Sequence, residues 1–316
     1  MEKRELGKTG IGVSPLMFGG NVFGWTVDEA ASFKLLDAFT DAGLNFIDTA
    51  DVYSRWVPGN NGGDSEMIIG KWFKQSGKRD KVVLATKVGK DMGDGKKGLA
   101  AAYIKQAVED SLKRLQTDYI DLYQSHDDDP NTPFIETMEA YSQLIKEGKV
   151  RVIGASNYKA GRLAEALQVS ASNNLAAYQT LQPEYNLYQR QDYETNLEPL
   201  CLERGLGVVP FYSLASGFLT GKYRSEADFS KSKRGGGIAK YLNERGFKIL
   251  AALDQVADQY HTTQASVALA WLMARPGITA PIASATNIDQ LNELISATEL
   301  NLSAEAIGVL NEASNY

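Results

Sequence analysis

Asp48 and Tyr53 lie five residues apart in "DTADVY", Lys87 closes the apolar run "KVVLATK", and His126 closes "DLYQSH". A phenol has an ordinary pKa of about 10 and is a poor acid at neutral pH. An ammonium beside it stabilises the phenolate and lowers that pKa. A carboxylate next to the ammonium keeps it charged and in place, and an imidazole orients a carbonyl oxygen or shares its proton. The four groups together suit protonation of a carbonyl oxygen while hydride arrives at its carbon. Taken singly, each has a plainer reading. Tyr53 is then half-buried packing, Lys87 a solvated strand end, His126 a satisfied structural histidine and Asp48 an Asx-type turn cap. The chemistry holds only if the chain gathers these positions.

The elements that would gather them alternate along the chain. Short apolar runs stand at 14–20, 44–48, 81–87, 119–126, 150–157, 177–182, 207–212 and 278–284. Helical patterns follow near 27–42, 65–75, 101–115, 132–149, 159–172, 193–204, 246–260 and 288–297. In the third of these, Ile104, Val108, Leu112 and Leu115 fall on one face. Several of the apolar runs are continuous rather than alternating, which suits parallel strands buried on both faces. Eight strand–helix units in 316 residues predict an α/β fold of the closed (β/α)8 TIM-barrel type. The segment "RELGKTGIGVSPL" reads as a β-hairpin capping its bottom, and no linker divides residues 1–316, which read as a single barrel domain. In such a barrel, chemistry sits at the C-terminal ends of the strands. Asp48, Lys87, His126, Ser156, Asn157 and Gln182 all stand there. The long segment 213–245, rich in Gly, Ser and Lys, reads as a functional loop.

Composition narrows the field. A hydrophobic content of 43%, a charged content of 23% and a net charge of -6 describe a globular chain without a basic face for nucleic acid. The single cysteine, Cys201, excludes a disulfide framework and reads as a buried thiol on a helix. Two distant histidines leave no zinc motif, so no metal site is expected. "HDDDP" (126–130) reads as a solvated loop with divergent acids rather than a cation site, and "GDGKKG" (93–98) as a loop rather than a dinucleotide fingerprint. "MEKRELGKTG" is no secretory signal and no run of eighteen apolar residues is present, so the expected location is the cytoplasm, with no membrane association.

The segments "GLNFIDTADVY", "LATKVG", "LYQSH" and "GKVRVIGASNY" resemble the signature stretches of the aldo-keto reductase superfamily, and the likeness runs from "RELGKTGIGVSPLMFGG" to "NIDQLNEL". The resemblance implies a (β/α)8 barrel that reduces aldehydes or ketones reversibly, without a metal. It implies NADP(H) as cofactor, with NAD(H) the alternative because Ser284 and Gln290 stand where basic residues often do. By motif, Tyr53 would be the general acid, Lys87 and Asp48 would tune it, and His126 would orient the substrate. The same carry-over assigns cofactor contacts to Gly20, Asn21, Asp48, Ser156, Asn157 and Gln182. It places an aromatic under the nicotinamide at Phe211 or its neighbour Tyr212, followed by Ser213. Leu214, Ser216, Gly217, Lys222 and Arg234 would line the pyrophosphate. Ser284, Thr286, Gln290 and Glu293 would hold the adenosine end.

Substrate contacts are expected from the loops, with Trp25 and Trp56, and Tyr158 beside them, as an apolar or sugar-stacking wall. The stretch "SRWVPGNNGGD" after Tyr53 reads as a substrate-side loop. The partner is a small carbonyl or alcohol, and the number of copies in the assembly is not legible. A second reading uses the same barrel as a cofactor-binding sensor or channel-associated subunit with little turnover, since a fold does not settle a function.

Overall fold

A computed structural model describes residues 2–233 and 235–316. A short antiparallel hairpin, β1 (Arg4–Glu5) and β2 (Gly12–Val13), opens the chain. Eight parallel strands follow: β3 (Met17–Gly19), β4 (Phe46–Asp48), β5 (Val83–Val88), β6 (Ile120–Ser125), β7 (Val150–Ser156), β8 (Thr180–Gln182), β9 (Gly207–Val208) and β10 (Ile282–Ala283). They pair in the order β10-β3-β4-β5-β6-β7-β8-β9. The first and last of that order also meet. Thr279 N donates to Val208 O at 2.8 Å and Ile282 N to Pro210 O at 2.9 Å. The sheet is therefore closed, as a (β/α)8 barrel requires.

Helices wrap it: α1 (Glu29–Asp41), α2 (Asp64–Ser76), α3 (Ala101–Leu115), α4 (Phe134–Lys146), α5 (Ala160–Ser172), α6 (Glu198–Arg204), α7 (Glu244–Tyr260), α8 (Gln264–Met273), α9 (Ile288–Ser296) and α10 (Ala304–Ala313). Among the described residues, five of these helices, α1, α7, α8, α9 and α10, start on a side-chain oxygen cap. Asp28 accepts from Ala31 N, Thr263 from Ser266 N, Asn287 from Gln290 N and Ser303 from Ala306 N. Two of the ten, α8 and α10, fall outside the eight expected helices. α8 is buried along its whole length, so its sequence "QASVALAWLM" has no polar face to give a helical period.

Two apolar layers result. Residues pointing outward from the strands, Phe18, Ile47, Leu84 and Tyr123 among them, pack with Trp72, Phe39, Val108 and Leu163 of the helices. Residues pointing inward, including Met17, Phe46, Val83, Ala85, Leu122 and Val152, form a separate interior cluster. Leu6, Ile11 and Val13 from the hairpin join that cluster and plug the barrel from below. Arg4 fastens the plug by donating to the carbonyls of Ile278 at 3.0 Å and Met273 at 2.9 Å. The floor is thus dry and solid, and the upper interior is left for polar groups. No helix among the described residues is long and apolar enough to cross a membrane.

Candidate active site

Strand alternation aims the four chemical groups. Phe46 points into the barrel, Ile47 outward and Asp48 inward again; Val83, Ala85 and Lys87 follow the same rule on β5. Register sets Gly19 beside Asp48, and Asp48 beside Ala85. The chain then leaves β4 through a tight turn in which Tyr53 N donates to Ala50 O, and Ser54 Oγ to Phe23 O at 2.6 Å. Ser54 adopts a left-handed φ of 69°. That turn brings the Tyr53 hydroxyl back over the strand ends.

The resulting contacts are short and complete. Lys87 Nζ donates to Thr49 O at 2.7 Å and to Tyr53 Oη at 2.8 Å, and lies 2.7 Å from Asp48 Oδ1. Its three ammonium protons have three acceptors. Tyr53 Oη donates to Asp48 Oδ2 at 3.0 Å, and Gln182 Nε2 donates to Asp48 Oδ1 at 3.1 Å. The His126 ring stands 6.0 Å from the Tyr53 ring, nearly perpendicular to it. Asn157 Nδ2 donates to the His126 carbonyl at 2.9 Å, which ties the fifth barrel strand to the fourth.

The electrostatics differ from the expectation in one respect. Lys87 was expected to lower the Tyr53 pKa, yet the phenol is held well above its ordinary value. Burial is the largest cause and the Asp48 charge, with its hydrogen bond, comes next. Tyr53 is therefore a neutral phenol throughout the physiological range, and the ammonium meets a phenolate only as one forms. Burial also pulls Lys87 down, opposed by Asp48. His126 is held well below its ordinary value by burial and by the charges of Lys87 and Lys90. It is a neutral imidazole whose buried Nδ1 has no hydrogen-bond partner among the described residues.

These groups open into a cleft of about 850 Å³ across the C-terminal ends of the strands. Of the expected contacts, Asn21, Asp48, Ser156, Asn157, Gln182, Phe211, Tyr212 and Ser213 line it. Leu214, Ser216, Gly217 and Lys222 line it too, as do Ser284, Thr286, Gln290 and Glu293. Three expectations need correction. Gly20 does not line the cleft; it is buried with its carbonyl accepting from Ser65 Oγ at 2.8 Å, and Gly19 takes the wall instead. Trp25 sits behind Trp56, edge-on with ring centres 5.7 Å apart, so only Trp56 faces the cleft. Tyr158 is buried against Phe134 and Tyr178 rather than in the wall. Arg234 lies outside the described residues.

The walls have distinct chemistry. Gln182 and Asn157 spend their amide nitrogens on Asp48 and His126, and among the described residues nothing donates to Gln182 Oε1 or Asn157 Oδ1. These two carbonyls are acceptors suited to an amide NH2. Phe211 rests on the interior cluster, whereas Tyr212, with a left-handed φ of 52°, is turned outward and half exposed. Ala215, Ser216 and Gly217 are successively left-handed, and the Ala215 and Gly217 amides donate to the carbonyls of Tyr212 at 2.6 Å and Leu214 at 2.8 Å.

Sequence reasoning missed Lys90, Glu184, Lys231 and Lys233, all on the cleft wall. Lys90 and Glu184 stand just beyond strand ends and were open to the same argument as Lys87. The two lysines of the long loop were not, because nothing in a loop's sequence says how it folds back. Other readings hold. Cys201 is buried, its thiol pushed up to about 12 by burial. The acids of "HDDDP" diverge, Asp127 to Lys90, Asp128 to Arg162 and Asp129 to Leu99 N and Thr132.

Comparison with known proteins agrees with this arrangement. The model of the "Aldo/keto reductase family" matches residues 15–315. An uncharacterized oxidoreductase of Bacillus subtilis, YrpG, is 39% identical over 99% of this chain and 95% of its own. The aldo-keto reductase YhdN of the same organism is 34% identical, covering 96% and 91%. A "Probable voltage-gated potassium channel subunit beta" of Arabidopsis thaliana is 33% identical, covering 95% and 92%. With a closed barrel, a polar upper interior and a family match across nearly its whole length, this chain belongs to the aldo/keto reductase family of oxidoreductases.

Proposed function

We propose that this protein reduces aldehydes or ketones to alcohols with NADPH, reversibly, and that Tyr53 is the proton donor. The observation that carries the reading is the buried triangle of Tyr53 Oη, Lys87 Nζ and Asp48, every side of it 3.0 Å or less. A phenol beside an ammonium donates its proton when an alkoxide develops next to it, because the phenolate formed is stabilised at once. Neutral His126 donates a hydrogen bond to the same carbonyl oxygen and fixes its direction. When bound, the reduced nicotinamide supplies the hydride that reaches the carbonyl carbon.

The chain's own residues fit such a cofactor. Gln182 Oε1 and Asn157 Oδ1 accept from the carboxamide, and Ser156 completes that wall. Phe211, seated on the barrel core, is the stacking platform, with Tyr212 at its edge. Ser216, Gly217 and Lys222, on the cleft wall with Leu214, hold the pyrophosphate, the lysine supplying the charge. Ser284, Thr286, Gln290 and Glu293 take the adenosine end, with Asn21 fixed to Ser284 by a 2.8 Å hydrogen bond. Lys222 and Lys233 put two cations on the same cleft, beside Lys231, whose charge is paired with Asp228 at 2.7 Å, which favours the cofactor bearing the extra phosphate. Trp56 supplies an aromatic wall for the substrate, 6.2 Å from the Tyr53 ring. The whole chain acts as one barrel domain in the cytoplasm.

The test is a panel of aldehydes and ketones assayed in parallel with NADPH and NADH. Carbonyl-dependent oxidation that is faster with NADPH is the expected result. The channel-subunit relative supports a second reading, a cofactor-binding sensor. Tight NADPH binding with no oxidation by any carbonyl would favour it; the intact triangle favours turnover.

A further inference from the structure

A buried charge cluster lies behind the triangle, and its count is uneven. Asp48, Asp51 and Glu66 are carboxyls with almost no solvent exposure. Two cations serve them. Lys87 pairs with Asp48 at 2.7 Å and Arg114 with Glu66 at 2.6 Å. Thr86 Oγ1 also donates to Glu66 at 2.6 Å. Asp51 is the third acid, and among the described residues neither of its side-chain oxygens has a hydrogen-bond partner. It is 2% exposed and its backbone N donates to Lys87 O at 3.3 Å. An ionised carboxylate left there without partners is strongly disfavoured, whereas the neutral acid balances the cluster.

We propose that Asp51 is a positioning residue that works as a neutral acid, keeping a second negative charge away from Lys87 and Tyr53 during reduction. The titratable groups electrostatically coupled to it come from several elements: Glu66 on α2, Arg114 and Tyr103 on α3, Lys87 on β5, Tyr123 on β6, Tyr141 on α4, and Tyr53 on its own stretch. Burial, then Glu66, lifts the Asp51 carboxyl to about 8, with Arg114 and Lys87 opposing. Its negative charge, once formed, raises both Tyr53 and Lys87. A phenol made more basic gives up its proton less readily and takes one more readily. Loss of the Asp51 proton therefore slows carbonyl reduction.

The inference rests on the reading of Tyr53 as proton donor, and the experiment separates the two. The rate of hydride transfer to a carbonyl is measured from pH 6 to 10 for the native protein and for Asp51→Asn, with Tyr53→Phe as a control. Native reduction should fall about tenfold between pH 7 and 9, as one group near 8 loses its proton. Asp51→Asn should retain reduction at pH 7 within about threefold and lose that inflexion. An unchanged inflexion in folded Asp51→Asn overturns the role of Asp51. Undiminished turnover in Tyr53→Phe overturns the proton-donor reading instead. Should Asp51→Asn fail to fold, carbon-13 NMR of the native protein labelled at aspartate carboxyls decides. A carboxyl titrating together with the rate supports the proposal, and the absence of any between pH 7 and 9 overturns it.

Discussion

Tyr53 Oη donates to Asp48 Oδ2 while Lys87 Nζ donates to Tyr53 Oη, so the phenolic proton stays on Tyr53 and points at the carboxylate until the hydroxyl rotates. Transfer to a substrate then needs only a turn about one C–O bond. The ammonium stays in place through that turn. Replacing Lys87 by Met should lower the reduction rate by about 10²–10⁴-fold, the usual scale of acid–base contributions. Cofactor affinity, read by quenching of tryptophan fluorescence, should stay close to native, because Lys87 lies behind the cleft wall. Unaltered rates would remove the ammonium from the account.

His126 carries a second residue-level expectation. Its folded pKa is depressed, so below about 6.5 the unfolded chain binds a proton that the folded chain excludes. Stability should therefore fall as pH drops through that range. His126→Asn should flatten this part of the stability–pH curve, measured by urea unfolding at a series of pH values.

Among the elements, the loop from Tyr53 to α2 shows how two roles share one segment. Its tryptophan end faces the cleft, while its glycine end serves packing. Gly63, with φ of 79°, precedes α2, and a Cβ there would run into Cδ and Nε of Arg114. The glycine lets the guanidinium reach Glu66 across α2. Gly63→Ala should cost about 1–3 kcal/mol through strain at that φ and displacement of the guanidinium. Its midpoint of urea unfolding should drop accordingly, and an unchanged midpoint would show that Arg114 has room to move. The eight strands and most helices were legible because buried parallel strands write continuous apolar runs and half-buried helices write a 3.6-residue period. α8 was not, since burial on every side erases the period. Asp51 was legible only as the second acid of "DTADVY", because no sequence states that a carboxyl will be left unpaired by its neighbours. Glu184 and the loop lysines depended on folding of the chain beyond the strands.

For the molecule as a whole, the barrel divides into a dry floor and a polar rim. The floor is sealed by the hairpin, and Phe46, fully buried within it, stands two residues below Asp48 on one strand. Shortening that side chain should cost about 3–5 kcal/mol, and the unfolding midpoint of Phe46→Ala should fall accordingly. The same arrangement explains why the rim tolerates a buried Asp–Lys–Tyr triangle: rigid strands below hold each group where its partners are. The claim on which the whole account turns is that Tyr53 gives the proton. Single-turnover reduction of a carbonyl substrate by NADPH-loaded Tyr53→Phe tests it most directly, with cofactor affinity measured on the same sample. A rate lower by about 10²–10⁴-fold with unaltered affinity is the predicted result; native-like reduction by the phenylalanine variant would contradict it.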